Sequence, residues 1–350
     1  MRYVIGTMTG TSMDGIDAVA VSIEGCGLRI KPTFLQMSTE SIEEIQEQLR
    51  GVAIGKSSEE ELRALALELG KRSLNAIAKL KMSNVDLIAL HGQTIFHEPP
   101  KSVQLLNASV IVNQFDCTVL TDPRAADLRL GGQGAPITPL ADWVMFKDAN
   151  LDTAIVNLGG FCNITLLPKN SQPKDISGFD LCCCNLLLDG IARNRLGTQY
   201  DTNGSCADEG TVDSNLFDQL KNKLELQRNE NRSLGTGDDL SSWLLDQSKN
   251  IETADLLATV TAAIGSVIQE TVCDSQRVLL AGGGIHNVPL KNAIGATQMT
   301  DAFGVPTQAR EAMAMAILGA LAIDGVSITL PQITGRAETG DVVGWAQASP

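Results

Sequence analysis

Apolar positions along the chain fall into short β-type runs and helical stretches, and their alternation organises the sequence. Tyr3-Val4-Ile5 and Ala18-Val19-Ala20-Val21-Ser22-Ile23 flank a polar, glycine-rich stretch, which predicts a β-hairpin at the amino terminus. Helices are expected at 41–49 and 59–80, the second with apolar residues at 62, 65, 69, 74, 77 and 80, as on one helix face. The run 85–90 reads as a buried strand ending at His91-Gly92-Gln93-Thr94, with further short strands at 103–106 and 118–120. The second half repeats the scheme with a strand–turn–strand unit at 153–168, helices at 185–196 and 253–272, a strand at 277–281 and an apolar helix at 308–323. Within it, 199–250 is polar, and its most hydrophilic part, 221–242, is expected to be a mobile surface connection. This alternation points to an α/β fold with a mainly parallel or mixed sheet flanked by helices.

A chain of 350 residues suits two domains of ordinary size. With 43% hydrophobic and 19% charged residues it has the composition of a globular protein. A net charge of −14 argues against nucleic acid and anionic membranes as partners, because the long-range field repels both. The first residues lack the basic start and apolar core of a signal peptide, and the apolar run 312–323 is too short to span a bilayer, so a cytoplasmic protein is expected. Eight cysteines, at 26, 117, 162, 182, 183, 184, 206 and 273, form no CxxC pair, which argues against structural zinc. Cys182-Cys183-Cys184 is read as small residues filling a tight turn. His91, His97 and His286 are scattered and lack HxxxH spacing.

The first hairpin turn carries the most chemistry. Gly6, Gly10 and Gly15 accompany Thr7, Thr9, Thr11 and Ser12, a set that can present backbone amides and hydroxyls to an anion. Asp14 and Asp17 would repel a bare phosphate and fit one bridged by a divalent cation or its water shell; the alternative is a polar hairpin turn without a ligand. A second turn, Gly159-Gly160-Phe161-Cys162-Asn163, also joins two β-type runs, and a third, Gly282-Gly283-Gly284, follows a strand. Neither a Walker phosphate loop nor a GxGxxG turn is present. Asp180 stands after a β-type segment and before a helix starting near Asn185, where a carboxylate could be a rigid general base or a helix cap.

The ordered set of turns resembles the actin/Hsp70/hexokinase superfamily, and within it the match to the anhydro-N-acetylmuramic acid kinase family is close. The carrying segments are GTMTGTSMDGID (6–17), HGQTIFHEP (91–99), TDPRAADLRLGGQGAP (121–136), NLGGFCNIT (157–165), Asp180 with Asn185, AGGGIHN (281–287) and REAMAMA (310–316). The resemblance implies two RNase H-like domains with a nucleotide and sugar cleft between them, the first spanning 1–131 plus about 326–350 and the second 132–325. It implies an enzyme using ATP and Mg2+ that opens the anhydro bridge of its sugar with water and phosphorylates O6, in peptidoglycan recycling. In that scheme Asp180 activates the water, while Thr94, Arg124 and Glu311 contact the sugar. Gly10, Thr11, Ser12, Met13, Asp14, Gly15, Ile16, Asp17, Gly159, Gly160, Asn163, Gly235, Gly282, Gly283 and Gly284 would hold the nucleotide. No direct metal ligand is assigned, with Asp14 able to act through water. A homodimer is expected.

Two departures stand out. The family's Asp-Thr-Gly-Pro-Gly-Asn reads Asp180-Leu-Cys-Cys-Cys-Asn185 here, and the segment 232–239 lacks a basic residue after Gly235. They leave open a kinase for an ordinary sugar hydroxyl, or a non-catalytic nucleotide-gated sensor of the same fold. The loop 121–137 reads as a hinge.

Overall fold

The computed structural model describes residues 1–10, 13–53, 55, 57–229, 233–296 and 298–349. Thr11, Ser12 and Arg232, which the sequence reading singles out, lie outside the described residues. The chain divides into two compact units, Met1–Phe146 with Gly304–Pro350, and Lys147–Phe303.

The first unit is built on one mixed sheet. β1 (Arg2–Thr9), β2 (Gly15–Glu24) and β3 (Lys31–Ser41) form an antiparallel meander. β4 (Leu87–Leu90) pairs parallel with β1; β5 (Gln93–Glu98) and β6 (Lys101–Leu105) form a separate hairpin; β7 (Thr118–Thr121) pairs parallel with β4. The short strand Ala346–Gln347 closes the far edge on β7. The helix Glu59–Lys79 starts with a capping box between Ser58 and Glu61 and lays Leu65, Leu69, Ala76 and Ile77 into the core beneath the sheet.

The second unit repeats this plan. β8 (Thr153–Leu158), β9 (Phe161–Leu167) and β10 (Ser177–Cys183) form the meander, and β11 (Arg277–Ala281) and β12 (Gln298–Met299) add parallel strands beyond β8. The two orders, β3-β2-β1-β4-β7 and β10-β9-β8-β11-β12, are the same, with the second strand antiparallel in each. This is the RNase H-like arrangement, present twice.

Several sequence expectations need correction. The unit boundaries fall at 146/147 and 303/304 rather than near 131 and 326. The helix Arg310–Ile323 packs on β1 of the first unit, where it meets Gly6; a Cβ there would lie 2.0 Å from the Ala312 carbonyl oxygen. Arg310 and Asp142, 1% and 0% exposed, pair in the same interior and join this helix to the helix Pro139–Phe146. Residues 31–41 are a strand, so the first helix begins at Glu43. The first part of the expected mobile connection, 221–229, continues the helix Ser214–Asn229, which buries Leu216, Leu220 and Leu224 in the second core. Among the described residues no helix is long and apolar enough to cross a membrane.

Candidate active site

In open α/β sheets, ligands bind beyond the carboxyl ends of the parallel strands. In the first unit those ends are occupied by the residues that the sequence singles out. The β1–β2 turn closes with the Met13 N–H donating to the Gly10 carbonyl (3.2 Å), Met13 taking a left-handed φ of 55°. Gln93, at the start of β5, donates to the same carbonyl (3.4 Å). Gly15, Ile16 and Asp17 open β2, with Asp17 opposite Met8 and Ile16 opposite Thr9. The Thr39 hydroxyl donates to Asp17 Oδ1 (2.6 Å). Burial is the main influence on Asp17: against the Thr39 hydrogen bond, and with the negative charges of Asp14 and Glu311 adding to it, the carboxyl is raised to about 6. The first turn of the 310–323 helix thus brings Glu311 to the hairpin.

Arg124 follows β7 and is gripped twice. Its Nη1 donates to the Gly134 carbonyl (3.0 Å) and its Nη2 to His91 Nε2 (3.2 Å). That second bond requires a neutral imidazole. Burial, reinforced by the Arg124 charge, holds His91 down at about 3, so it remains an acceptor at any ordinary pH. Thr94 lies on β5, its hydroxyl accepting from Gln104 Nε2 (3.5 Å). The loop expected to hinge is instead pinned. It contains the helix Ala125–Arg129, and the buried Asp127 accepts from the Gly134 N–H (2.8 Å) and the Thr334 hydroxyl (2.7 Å). The sequence reading missed His91 as the partner of Arg124, although it stands directly after the buried strand preceding Thr94.

In the second unit the predicted residues converge on one row across the sheet. Ala281 on β11 pairs with Asn157 on β8, Asn157 with Asn163 on β9, and Asn163 with Asp180 on β10. Asp180 therefore sits inside a strand rather than after one, at a bulge between Asp180 and Cys182. The cysteines do not form a turn either. Cys182 and Cys183 continue the pairing with β9, opposite Cys162 and Phe161, and Cys184 caps the helix Asn185–Ile191. Beyond the bulge the small side chains of Cys182 and Cys183, with neither Gly nor Pro among them, let the strand run on to Cys183. All eight cysteines are free thiols. Burial pushes Cys184 to about 12 and Cys183 to about 11, which leaves them protonated and unreactive.

The glycine turns pack around the end of β8. The Gly160 carbonyl accepts from the Cys184 and Leu186 N–H groups (2.9 and 3.1 Å), and Asn185 Nδ2 donates to the Leu158 carbonyl (2.9 Å). Gly282 has φ +82°, and a Cβ on it would lie 2.8 Å from the Leu158 carbonyl oxygen, so only glycine suits this turn. Gly283 has open space where a side chain would be. Gly235 donates its N–H to the Asp238 carboxylate (2.7 Å), and the Leu234 N–H donates to Asp180 Oδ2 (2.9 Å). No group of three or more His, Cys, Asp or Glu able to hold a metal occurs among the described residues.

The family model described as anhydro-N-acetylmuramic acid kinase matches residues 2–345. The chain belongs to this family. The anhydro-N-acetylmuramic acid kinase of Clostridioides difficile (strain 630) is 30% identical over 348 residues, 91% of each chain. That of Salinibacter ruber (strain DSM 13855 / M31) is 30% identical over 374 residues, 96% of this chain and 94% of its own. Among solved structures, the ADPNP-bound activator of the 2-hydroxyisocaproyl-CoA dehydratase from Clostridium difficile shares 11% identity at a TM-score of 0.47, over 91% of this chain and 94% of that one. The strand order, not this likeness, establishes the fold. As a member of the kinase family the chain is a phosphotransferase that acts on a small molecule and uses ATP.

Proposed function

We propose that this chain phosphorylates 1,6-anhydro-N-acetylmuramic acid on O6 while water opens the anhydro bridge, giving N-acetylmuramic acid 6-phosphate in cell-wall recycling. The observation that carries the reading is the Asn157–Asn163–Asp180 row, which sets a carboxylate beside the glycine turns in a chain of this family. Phosphoryl transfer rests on positioning and on spreading charge, with one group to activate the nucleophile. Asp180 takes the proton of the attacking water as its oxygen bonds to C1. The C1–O6 bond breaks as the bond to water forms, and O6 takes the γ-phosphoryl group as ADP leaves. Arg124, held by His91 and Gly134, meets the sugar's carboxylate, with Thr94 and Glu311 as its further contacts.

Gly159, Gly160, Asn163, Gly235 and Gly282–Gly284 line the nucleotide side, with residues 10–17 as the second phosphate grip. The negative charges of Asp14 and Glu311 act on the Asp17 carboxyl without forming a set of direct ligands, which suits a cation kept in its water shell. Mg2+, when bound with the nucleotide and held through water by Asp14, would neutralise charge on the phosphates. The reading places the enzyme in the cytoplasm, where ATP is available, as a homodimer. The two alternative readings gain no support from the family match.

The test is Asp180→Asn. The variant keeps size and hydrogen bonding but cannot take a proton. It is expected to fold, bind ATP and sugar, and turn over at least ~10²-fold more slowly. Near-normal turnover would remove Asp180 from the mechanism.

A further inference from the structure

Asp180 is tied to a segment that sequence reasoning leaves as an open connection. Leu234, whose N–H donates to Asp180 Oδ2 (2.9 Å), is 5% exposed, and Ser233 before it is equally buried. Beyond them the Gly235 N–H donates to the Asp238 carboxylate (2.7 Å), closing the 3-10 turn Thr236–Asp238. One polar side chain holds this turn against β10. Gln227, near the end of the 214–229 helix, donates from Nε2 to the Asp238 carbonyl (2.7 Å) and accepts at Oε1 from the Cys183 N–H (2.9 Å). The Cys183 thiol adds a contact to the same Asp238 carbonyl (3.1 Å). Gln227 is 7% exposed, on a helix otherwise anchored by Leu216, Leu220 and Leu224. A buried amide committed at both ends is directional, since rotating it loses both bonds.

We propose that Gln227 is a positioning residue for Asp180. It clamps 233–239 to β10, so that the Leu234 amide fixes the carboxylate that receives the water's proton. Because Gly235 belongs to the proposed nucleotide side, the clamp also links that side to the base. This rests on the function proposed above for Asp180.

Gln227→Met preserves volume and removes both hydrogen bonds, whereas Gln227→Glu keeps the acceptor for Cys183 and loses the donor to Asp238. Each is expected to lower kcat roughly tenfold, about the worth of one hydrogen bond, with KM for the sugar unchanged. In an Asp180→Asn background the same substitutions should cost nothing more. Hydrogen exchange at the Leu234 amide should rise in both Gln227 variants and stay close to wild type in Asp180→Asn, which keeps an oxygen acceptor. Independent losses in the double variant, or undisturbed Leu234 protection, would overturn the proposal. The glutamate variant carries the test should the methionine variant not fold. The exchange readout needs no turnover, so an enzyme inactive on the sugar would sink the proposed function while the clamp is still tested.

Discussion

Replacing Asp17 by asparagine removes a charge that the fold holds at a cost, and keeps the oxygen that accepts from Thr39 Oγ1. In the folded chain burial, with Asp14 and Glu311, raises this carboxyl from 3.8 to about 6. The native state therefore binds the proton more tightly than the unfolded chain. The stability this confers is complete below 3.8 and is lost as pH rises through about 6. At about 1.4 kcal/mol per pH unit, a gap of roughly two units corresponds to ~3 kcal/mol. Asp17 is only half-buried, and solvent screening reduces this to about 1–2 kcal/mol. Urea denaturation of wild type and Asp17→Asn between pH 4 and 8 reads the difference. Near pH 4 the two should be equally stable; at pH 7.5 the asparagine variant should be more stable by about 1–2 kcal/mol. Parallel curves, or a wild type that gains on the variant as pH rises, would refute the reasoning. Magnesium nucleotide should narrow the gap at pH 7.5, since a cation near Asp14 relieves the same repulsion.

Asp142→Asn leaves the guanidinium of Arg310 buried without its counter-charge, and should lower stability by ~3–5 kcal/mol in the same denaturation assay. A loss within experimental error would mean that the pair is not needed to seat the 310–323 helix. In thiol titration of the native protein, Cys26 and Cys273 should react at once, whereas Cys162, Cys182, Cys183 and Cys184 should react only after unfolding. Rapid modification of the buried four would contradict their enclosure, since burial raises all four thiols and keeps them protonated.

How much was legible follows from what each element displays in sequence. Both hairpins stood out because glycine-rich turns, the first also rich in hydroxyls, interrupt β-type runs, and helix 253–272 because its apolar residues recur at helical spacing. β3 was hidden: an edge strand with Pro32 and mostly polar, half-exposed residues shows no clear alternation. The 214–229 helix was hidden too, since three leucines at four-residue spacing are outnumbered by charged and amide side chains. Gln227 looked like one more polar surface residue, because no local pattern announces a buried amide. The 310–323 helix read correctly as core, but an all-round apolar helix does not say which sheet covers it; the close approach at Gly6 decides that. Asp180 stood out in the sequence as a candidate, yet its place inside a bulged strand depends on the pairing of Cys182 with Cys162, which sequence spacing cannot show.

The central claim is that water enters at C1 while phosphate reaches O6. Turnover of 1,6-anhydro-N-acetylmuramic acid with ATP and Mg2+ in 18O-enriched water, followed at early times by mass spectrometry of the sugar, tests it most directly. The account predicts N-acetylmuramic acid 6-phosphate carrying one solvent-derived oxygen at C1, formed in step with ADP. A phosphorylated sugar that retains its anhydro bridge, or an opened product with no solvent oxygen at C1, would contradict it.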